Sequence, residues 1–157
     1  MEEIRFDDVA KLQTKVTEEW GDFGGTFTVS QEIINQFADL TGDHNWIHID
    51  VEKSKELSPF GGPIAHGFLT LVLMPQLGGG NTKQDYQVTG FRNVVNYGSD
   101  KLRFTGPVPS GSEIHMRSRL VGVKAKPKGT QVTSEMAIHV VGNERPSIVY
   151  QMIILYQ

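Results

Sequence analysis

Phe37-Ala38-Asp39-Leu40-Thr41-Gly42-Asp43-His44-Asn45-Trp46-Ile47-His48-Ile49-Asp50, with Phe60-Gly61-Gly62-Pro63-Ile64-Ala65-His66-Gly67 shortly after it, is the part of the chain from which the rest is read. Upstream, Ile33, Ile34, Phe37, Ala38 and Leu40 fall on one face at helical spacing. Ser30 stands where an N-cap belongs, Glu32 suits the positive end of the helix dipole, and Gly42 stops the helix. Asp43 therefore lies just past a helix C-terminus, and residues 43–50 read as a loop. Asp50 is placed to cap a short helix over 51–57, closed by Pro59. Phe60-Gly61-Gly62-Pro63 makes a tight turn, and Pro63 suits a helix start because its missing N–H costs nothing there. Residues 64–77 carry apolar side chains all around, which predicts a buried helix of about 21 Å. Pro75 should bend that helix or end it early, and Gly78-Gly79-Gly80 should terminate it.

Working outward, Phe6, Val9, Leu12 and Val16 have helical spacing and predict an N-terminal helical extension over 1–22, broken by Gly21 to Gly25. Thr26 to Val29 alternates like a short strand. The second half is strand. Ile114, Met116, Ser118 and Leu120 alternate with Glu113, His115, Arg117 and Arg119, and Val132 to Val140 repeats the pattern. Pro127-Lys128-Gly129 and Gly142-Asn143 mark turns, and a strand or two falls within 87–104. Ile148 to Tyr156 is apolar at nearly every position, as in a strand covered on both faces. One buried helix followed by antiparallel strands is an α+β pattern in a single domain over 1–157, with sheet edges that need covering or pairing.

Composition narrows the function. With 38% hydrophobic and 21% charged residues the chain is that of a globular protein, and a net charge of −3 argues against general nucleic-acid binding. No cysteine is present, which excludes disulfides, thiolate metal sites and a thiol nucleophile. Met1-Glu2-Glu3-Ile4 lacks an apolar signal core, and Phe68 to Leu77 is shorter than the roughly 18 residues a membrane span requires. A soluble, cytoplasmic protein without membrane contact is expected.

Asp43 and His48 are five apart in one loop and can converge. A carboxylate beside an imidazole fixes its tautomer, and the pair can hold a water and move protons. Downstream, the first turn of the buried helix offers free N–H groups and the positive dipole end to a developing oxyanion. The absent side chain at Gly67 lets a carbonyl approach the backbone closely. His44, His48, His66, Asp43 and Asp50 are of metal-ligating types, but a His pair four apart suits zinc on a helix and this stretch reads as loop, so no metal is expected. Gly61-Gly62 lacks the rest of a phosphate-binding fingerprint.

These two blocks resemble the MaoC-like (R)-specific enoyl-CoA hydratases, and the Phe-Ala-Asp-x-Thr-Gly-Asp-His-x-Trp-Ile-His form is most similar to their NodN-like subgroup. Asn96-Tyr97-Gly98 through Phe104 and Pro107-Val108-Pro109-Ser110-Gly111 extend the resemblance. It implies a hot-dog fold, an antiparallel sheet wrapped around a long central helix, usually as a homodimer. It further implies that Asp43 and His48 are catalytic, that the Gly67 amide binds the thioester oxygen, and that water adds across a trans-2-enoyl thioester. Asn45, Gly62, Ile64 and His66 flank these positions as substrate-binding candidates. No cofactor is implied beyond coenzyme A as part of the substrate, which could equally ride on an acyl carrier protein. Lys124, Lys126 and Lys128, or Arg92, Lys101 and Arg103, are the cations available to its phosphates. The sequence departs from the well-studied hydratases at Pro75, where they carry a serine. A hot-dog thioesterase and a non-catalytic acyl-binding module are the alternatives.

Overall fold

Period-two alternation organises the second half of the molecule. In the computed structural model, which describes residues 1–80 and 84–157, the elements run in the order β1 (Glu2–Arg5), α1 (Val9–Gln13), β2 (Phe27–Val29), α2 (Gln31–Thr41), α3 (Trp46–Ile49), α4 (Val51–Leu57), α5 (Gly67–Val72), a 3₁₀ helix (Met74–Gly80), β3 (Tyr86–Thr89), β4 (Val94–Phe104), β5 (Ser112–Lys126), β6 (Gly129–Val140) and β7 (Ile148–Tyr156). Five strands form one antiparallel sheet in the order β2-β5-β6-β7-β4. β1 and β3 pair in parallel as a separate ribbon. No helix among the described residues is long and apolar enough to cross a membrane.

The inner face of the sheet is the one the alternation marks. Ile114, Met116 and Ile138 are buried there with Val29, Ile34, Ala65, Leu69, Leu77, Val108 and Ile148. A second cluster forms where Ile4 and Leu12 meet Leu120, Val123 and Val132. On β6, Ala137, Ile138 and His139 are buried in succession, so the sheet is covered on both faces at that point.

The outer cover is the segment between α1 and β2. β2 pairs with only the first residues of β5, Ser112 to Ile114. Beyond them the carbonyls of Met116, Ser118 and Leu120 accept from the N–H groups of Gly24, Gly21 and Thr17 at 2.8, 3.0 and 3.0 Å. An exposed edge of β5 is thereby satisfied without a full strand. Arg119 ties the segment down by bonding the Glu18 carbonyl and Glu135 while stacking on Trp20.

Two expectations are corrected. The N-terminal helix is a strand followed by the short α1; only Ile4 and Leu12 of that region are buried, and Val16 is exposed. β1 finds a partner strand some eighty residues away in β3, a pairing that local spacing does not encode. The helix expected over 64–77 begins only at Gly67. Ile64 and Ala65 stay extended because their N–H groups donate to the carbonyls of Ile47 and Val108. The helix is not apolar-packed all around either: Leu69 and Thr70 are buried, while Phe68 and Val72, one turn apart, face outward. It ends ahead of Pro75, as a proline demands, and tightens to 3₁₀. On α2, the Ser30 cap, Glu32 and the left-handed Gly42 are as read, but Leu40 points to solvent.

His115 and His139 oppose each other on the outer face of β5 and β6. Phe23 stacks on His115 at 3.7 Å and meets His139 edge-on at 5.1 Å. Burial pushes both imidazoles below the ordinary histidine value; His139 and Arg117 add to this at His115, and Arg117 adds to it at His139 against the opposing pull of the Asn143 carbonyl. Both groups therefore protonate more readily in the unfolded chain, whose value is about 6.5. Stability is expected to be full above that pH, to fall as pH drops through it, and to stop falling once pH is below the folded-state values. Thermal unfolding between pH 8 and pH 5 should show this loss, and a His115→Gln/His139→Gln variant should show a shallower one.

Candidate active site

Gly42 (φ 79°) reverses the chain at the end of α2 and presents Asp43. The Asp43 N–H donates to Thr41 Oγ1 at 3.3 Å, and its Oδ1 accepts from the Asn45 N–H at 3.3 Å. The carboxylate is otherwise half exposed. Asn45 Oδ1 accepts from the Ile47 N–H at 3.2 Å and caps α3, a single turn where the sequence suggested loop. That turn carries His48 on its inner side. Ser54, fully buried, donates to the Trp46 carbonyl and fixes α3 against α4. Gln31, in the first turn of α2, donates to the His48 carbonyl at 2.7 Å.

The His48 ring is oriented by one bond, from Nδ1–H to the Ile64 carbonyl at 2.7 Å. The proton on Nδ1 leaves Nε2 as a lone pair. Burial, with the neighbouring His66, pushes the His48 pKa below the ordinary value, against the Ile64 carbonyl and Asp43, which raise it. At neutral pH the ring is an uncharged base.

Behind it His66, nearly fully buried, stacks on His48 with ring centres 3.9 Å apart. Its Nε2–H donates to the Asp43 carbonyl at 3.0 Å and lies 4.0 Å from Asp43 Oδ2. Asp43, His48 and His66 each bring a ligand-type atom within 4.8 Å of the others, so the trio could gather around a cation. With His66 Nε2 committed to the Asp43 carbonyl, however, the two groups free to act together are the Asp43 carboxylate and His48 Nε2. Two acceptors on neighbouring residues suit the two hydrogens of a water.

His48 opens onto a cavity of about 520 Å³ whose walls are mostly apolar, among them Ile64, Phe68, Phe104 and Val108. Gly67 lines it too. As the first residue of α5, Gly67 has an N–H with no acceptor one turn back. The ring of Phe104 lies so close over it that a Cβ at Gly67 would fall 2.6 Å from the nearest ring carbon. Phe68 meets Phe104 edge-on at 5.2 Å, and both are about half exposed, so together they form the mouth.

Of the sequence-derived site residues, Asp43, His48 and His66 are brought together, and Ile64 and Gly67 join them on the cavity side. Asn45 serves as a helix cap, and Gly62 lies in the turn off the cavity wall. Pro75 is not among the residues that line the cavity; it acts on α5, whose Gly67, Phe68 and Thr70 are. Lys124, Lys126 and Lys128 are exposed at the β5–β6 hairpin, whereas Arg103 is the neighbour of the mouth residue Phe104. Sequence reasoning missed Gln31, the Ile64 carbonyl and Phe104. Only Phe104 had a signal, its place in the Asn96-to-Phe104 stretch.

Comparison with known proteins identifies the family and the fold. The MaoC like domain family matches residues 13–141. 3-Hydroxyacyl-thioester dehydratase Z of Mycobacterium tuberculosis (strain H37Rv) is 43% identical over 152 residues, 96% of this chain and 97% of the relative. Nodulation protein N of Rhizobium meliloti is 35% identical over 161 residues, 100% of this chain and 94% of the relative. Among solved structures, the (R)-hydratase from A. caviae involved in PHA biosynthesis superposes with a TM-score of 0.67 at 20% identity, covering 90% of this chain and 98% of that one. At that identity the likeness is one of fold, the hot-dog arrangement expected from the sequence.

The close seating of Phe104 on Gly67 has a measurable cost. Gly67→Ala should destabilise the protein by about 1–3 kcal/mol, the usual range for overpacking. In a Phe104→Ala background the same substitution should cost clearly less, the two residues being coupled by at least about 0.5 kcal/mol as expected of residues in contact. Chemical denaturation of the four proteins in that cycle checks it.

Proposed function

Because the chain belongs to the MaoC-like dehydratase family, we propose that its Asp43–His48 pair adds water across a trans-2-enoyl thioester. The protein is a hydro-lyase, an (R)-specific hydratase that also runs the reverse dehydration of a 3-hydroxyacyl thioester. The observation that carries the assignment of residues is the tautomer of His48: Nδ1–H is held by Ile64, which leaves Nε2 as the free acceptor of a ring that lines an apolar cavity and has Asp43 as its close neighbour.

In this reading the pair holds one water by its two hydrogens and draws off a proton as the oxygen attacks C3. Electron density moves through C2 to the thioester oxygen, which the Gly67 N–H steadies as an enolate. The proton then returns from the pair to C2 on the same face, giving syn addition. Ile64 lines the acyl chain's path, with Phe68 and Phe104 at the entrance. The reaction so written uses no metal and no cofactor; coenzyme A or an acyl carrier protein enters as the carrier of the substrate. A cytoplasmic location is part of the same proposal.

A homodimer completes it. Among the described residues β4 pairs with β7 on one side only, and it exposes Val94, Val95 and Tyr97. A long apolar edge strand left open is a site for another chain. Val95→Lys with Tyr97→Glu should turn a dimer into a monomer by analytical ultracentrifugation; a wild type that sediments as a monomer removes this part.

The reaction is tested by loss of the conjugated-thioester absorbance of crotonyl-CoA. Asp43→Asn and His48→Gln should each reduce kcat by about 100-fold or more, the usual scale of acid–base catalysis. The double variant should be little worse than the poorer single, since the two act as one group. The acid limb of kcat/KM should lie below the ordinary histidine value of about 6.5, as the depressed His48 requires. A folded wild type inert toward short, long and branched enoyl chains would return the choice to a thioesterase or an acyl-binding module.

A further inference from the structure

We infer that His66 is the positioning residue of the site, the side chain that locks Asp43 and His48 to each other; the inference rests on the hydratase reading of that pair. His66 is the N-cap of α5, yet its side chain makes no bond to the helix it caps. Caps are normally Ser, Thr, Asp or Asn, whose oxygens accept from the first turn, and replacing such a residue forfeits stability. Here the ring is turned the other way. It reaches back 23 residues to donate Nε2–H to the Asp43 carbonyl at 3.0 Å.

The same ring lies flat against His48, with 3.9 Å between centres and 28° between planes. On its other side is Phe37 of α2 at 5.0 Å. It is 4% exposed. Its own backbone is held by α5, whose Thr70 donates to the His66 carbonyl through both N–H (3.1 Å) and Oγ1 (3.3 Å). One imidazole thus joins the helix that carries Gly67, the loop that carries Asp43 and the turn that carries His48.

A role in packing alone does not account for this residue. His66 Nδ1 is buried with no hydrogen-bond partner, a condition that an apolar ring of the same size would avoid. The two features an imidazole supplies and a Phe does not are the donor to Asp43 and the unpaired nitrogen. The donor is the useful one. Asp43 is half exposed, and its carboxylate makes a single weak local bond, to Asn45. Its backbone is otherwise held by the local bond from its N–H to Thr41 Oγ1, and the His66 donor is the tie that reaches it from the side of His48. Catalytic geometry is intolerant of such freedom, since a displacement of about 1 Å can cost a hundredfold in rate.

The test separates the donor from the ring. His66→Phe keeps a flat ring between Phe37 and His48 and removes the N–H. His66→Gln keeps a side-chain N–H without the ring. With crotonyl-CoA, His66→Phe should lower kcat about tenfold or more with KM nearly unchanged, and His66→Gln should recover a clear part of that loss. Both variants are compared at equal folded fraction, set by thermal unfolding. A His66→Phe protein with wild-type kcat overturns the inference. So does a rise in KM alone, which would make His66 a substrate contact, and so does His66→Gln performing no better than His66→Phe. A second readout stands apart from turnover. Imidazole ¹⁵N spectra of the wild type should show His66 protonated at Nε2 and His48 at Nδ1, and His66→Phe should broaden the Asp43 and Asn45 amide signals. A wild type that hydrates nothing but shows those spectra sinks the hydratase reading and leaves the tie standing. The opposite His66 tautomer sinks the tie alone.

Discussion

The bond from His48 Nδ1–H to the Ile64 carbonyl is the constraint on which the site depends. It joins two stretches of chain that belong to different local structures, the capped turn α3 and the extended run before α5. The Ile47 carbonyl receives the Ile64 N–H in the same place, so the two stretches are laced together by backbone as well as ring. Ile64 and Ala65 are thereby kept out of helix until Gly67. The late start of α5 is thus what puts an unsatisfied N–H at the cavity wall. Had the helix begun at Pro63, the Ile64 carbonyl would have been spent inside it, and His48 would have had no acceptor to choose its tautomer.

Legibility in the sequence follows how local each cause is. Ser30, Gly42 and Asp50 were readable because a cap acts within a few residues, and each behaves as read. The alternation on β5 was readable because the sheet buries one face, and Ile114, Met116, Ser118 and Leu120 are all buried. The N-terminal region misled because Phe6, Val9, Leu12 and Val16 match a helix by spacing while the partner that makes β1 a strand lies in β3. Pro63 misled for a similar reason: its fixed φ permits a helix start, but the Ile47 and Val108 carbonyls compete for the following N–H groups.

The site shows the same division. Asp43 and His48 could be paired on spacing, and His66-Gly67 could be marked as important. What no spacing shows is that His66 faces back toward Asp43 rather than into the cavity, or that the two acceptors left free are a carboxylate oxygen and Nε2. These come from long-range placement. Gln31 was invisible for the same reason, since a glutamine in the first turn of a helix reads as solvent-facing, yet it grips the His48 carbonyl. Asn45 resolved toward its simplest role, a cap that shapes the turn holding His48.

The segment carrying Thr17, Gly21 and Gly24 has a consequence for how such a sheet grows. By occupying the carbonyls of β5 it seals one margin of the sheet with the chain's own backbone, leaving β4 as the open margin at the far side. A sheet open at both margins can add neighbours without end, the geometry of a fibre. With one margin sealed, a two-fold pairing uses up the remaining one in both copies, and the assembly closes on itself. The segment that carries Phe23 thus acts as a stopper: loosening it would expose histidines, and it would also reopen the route to runaway polymerisation.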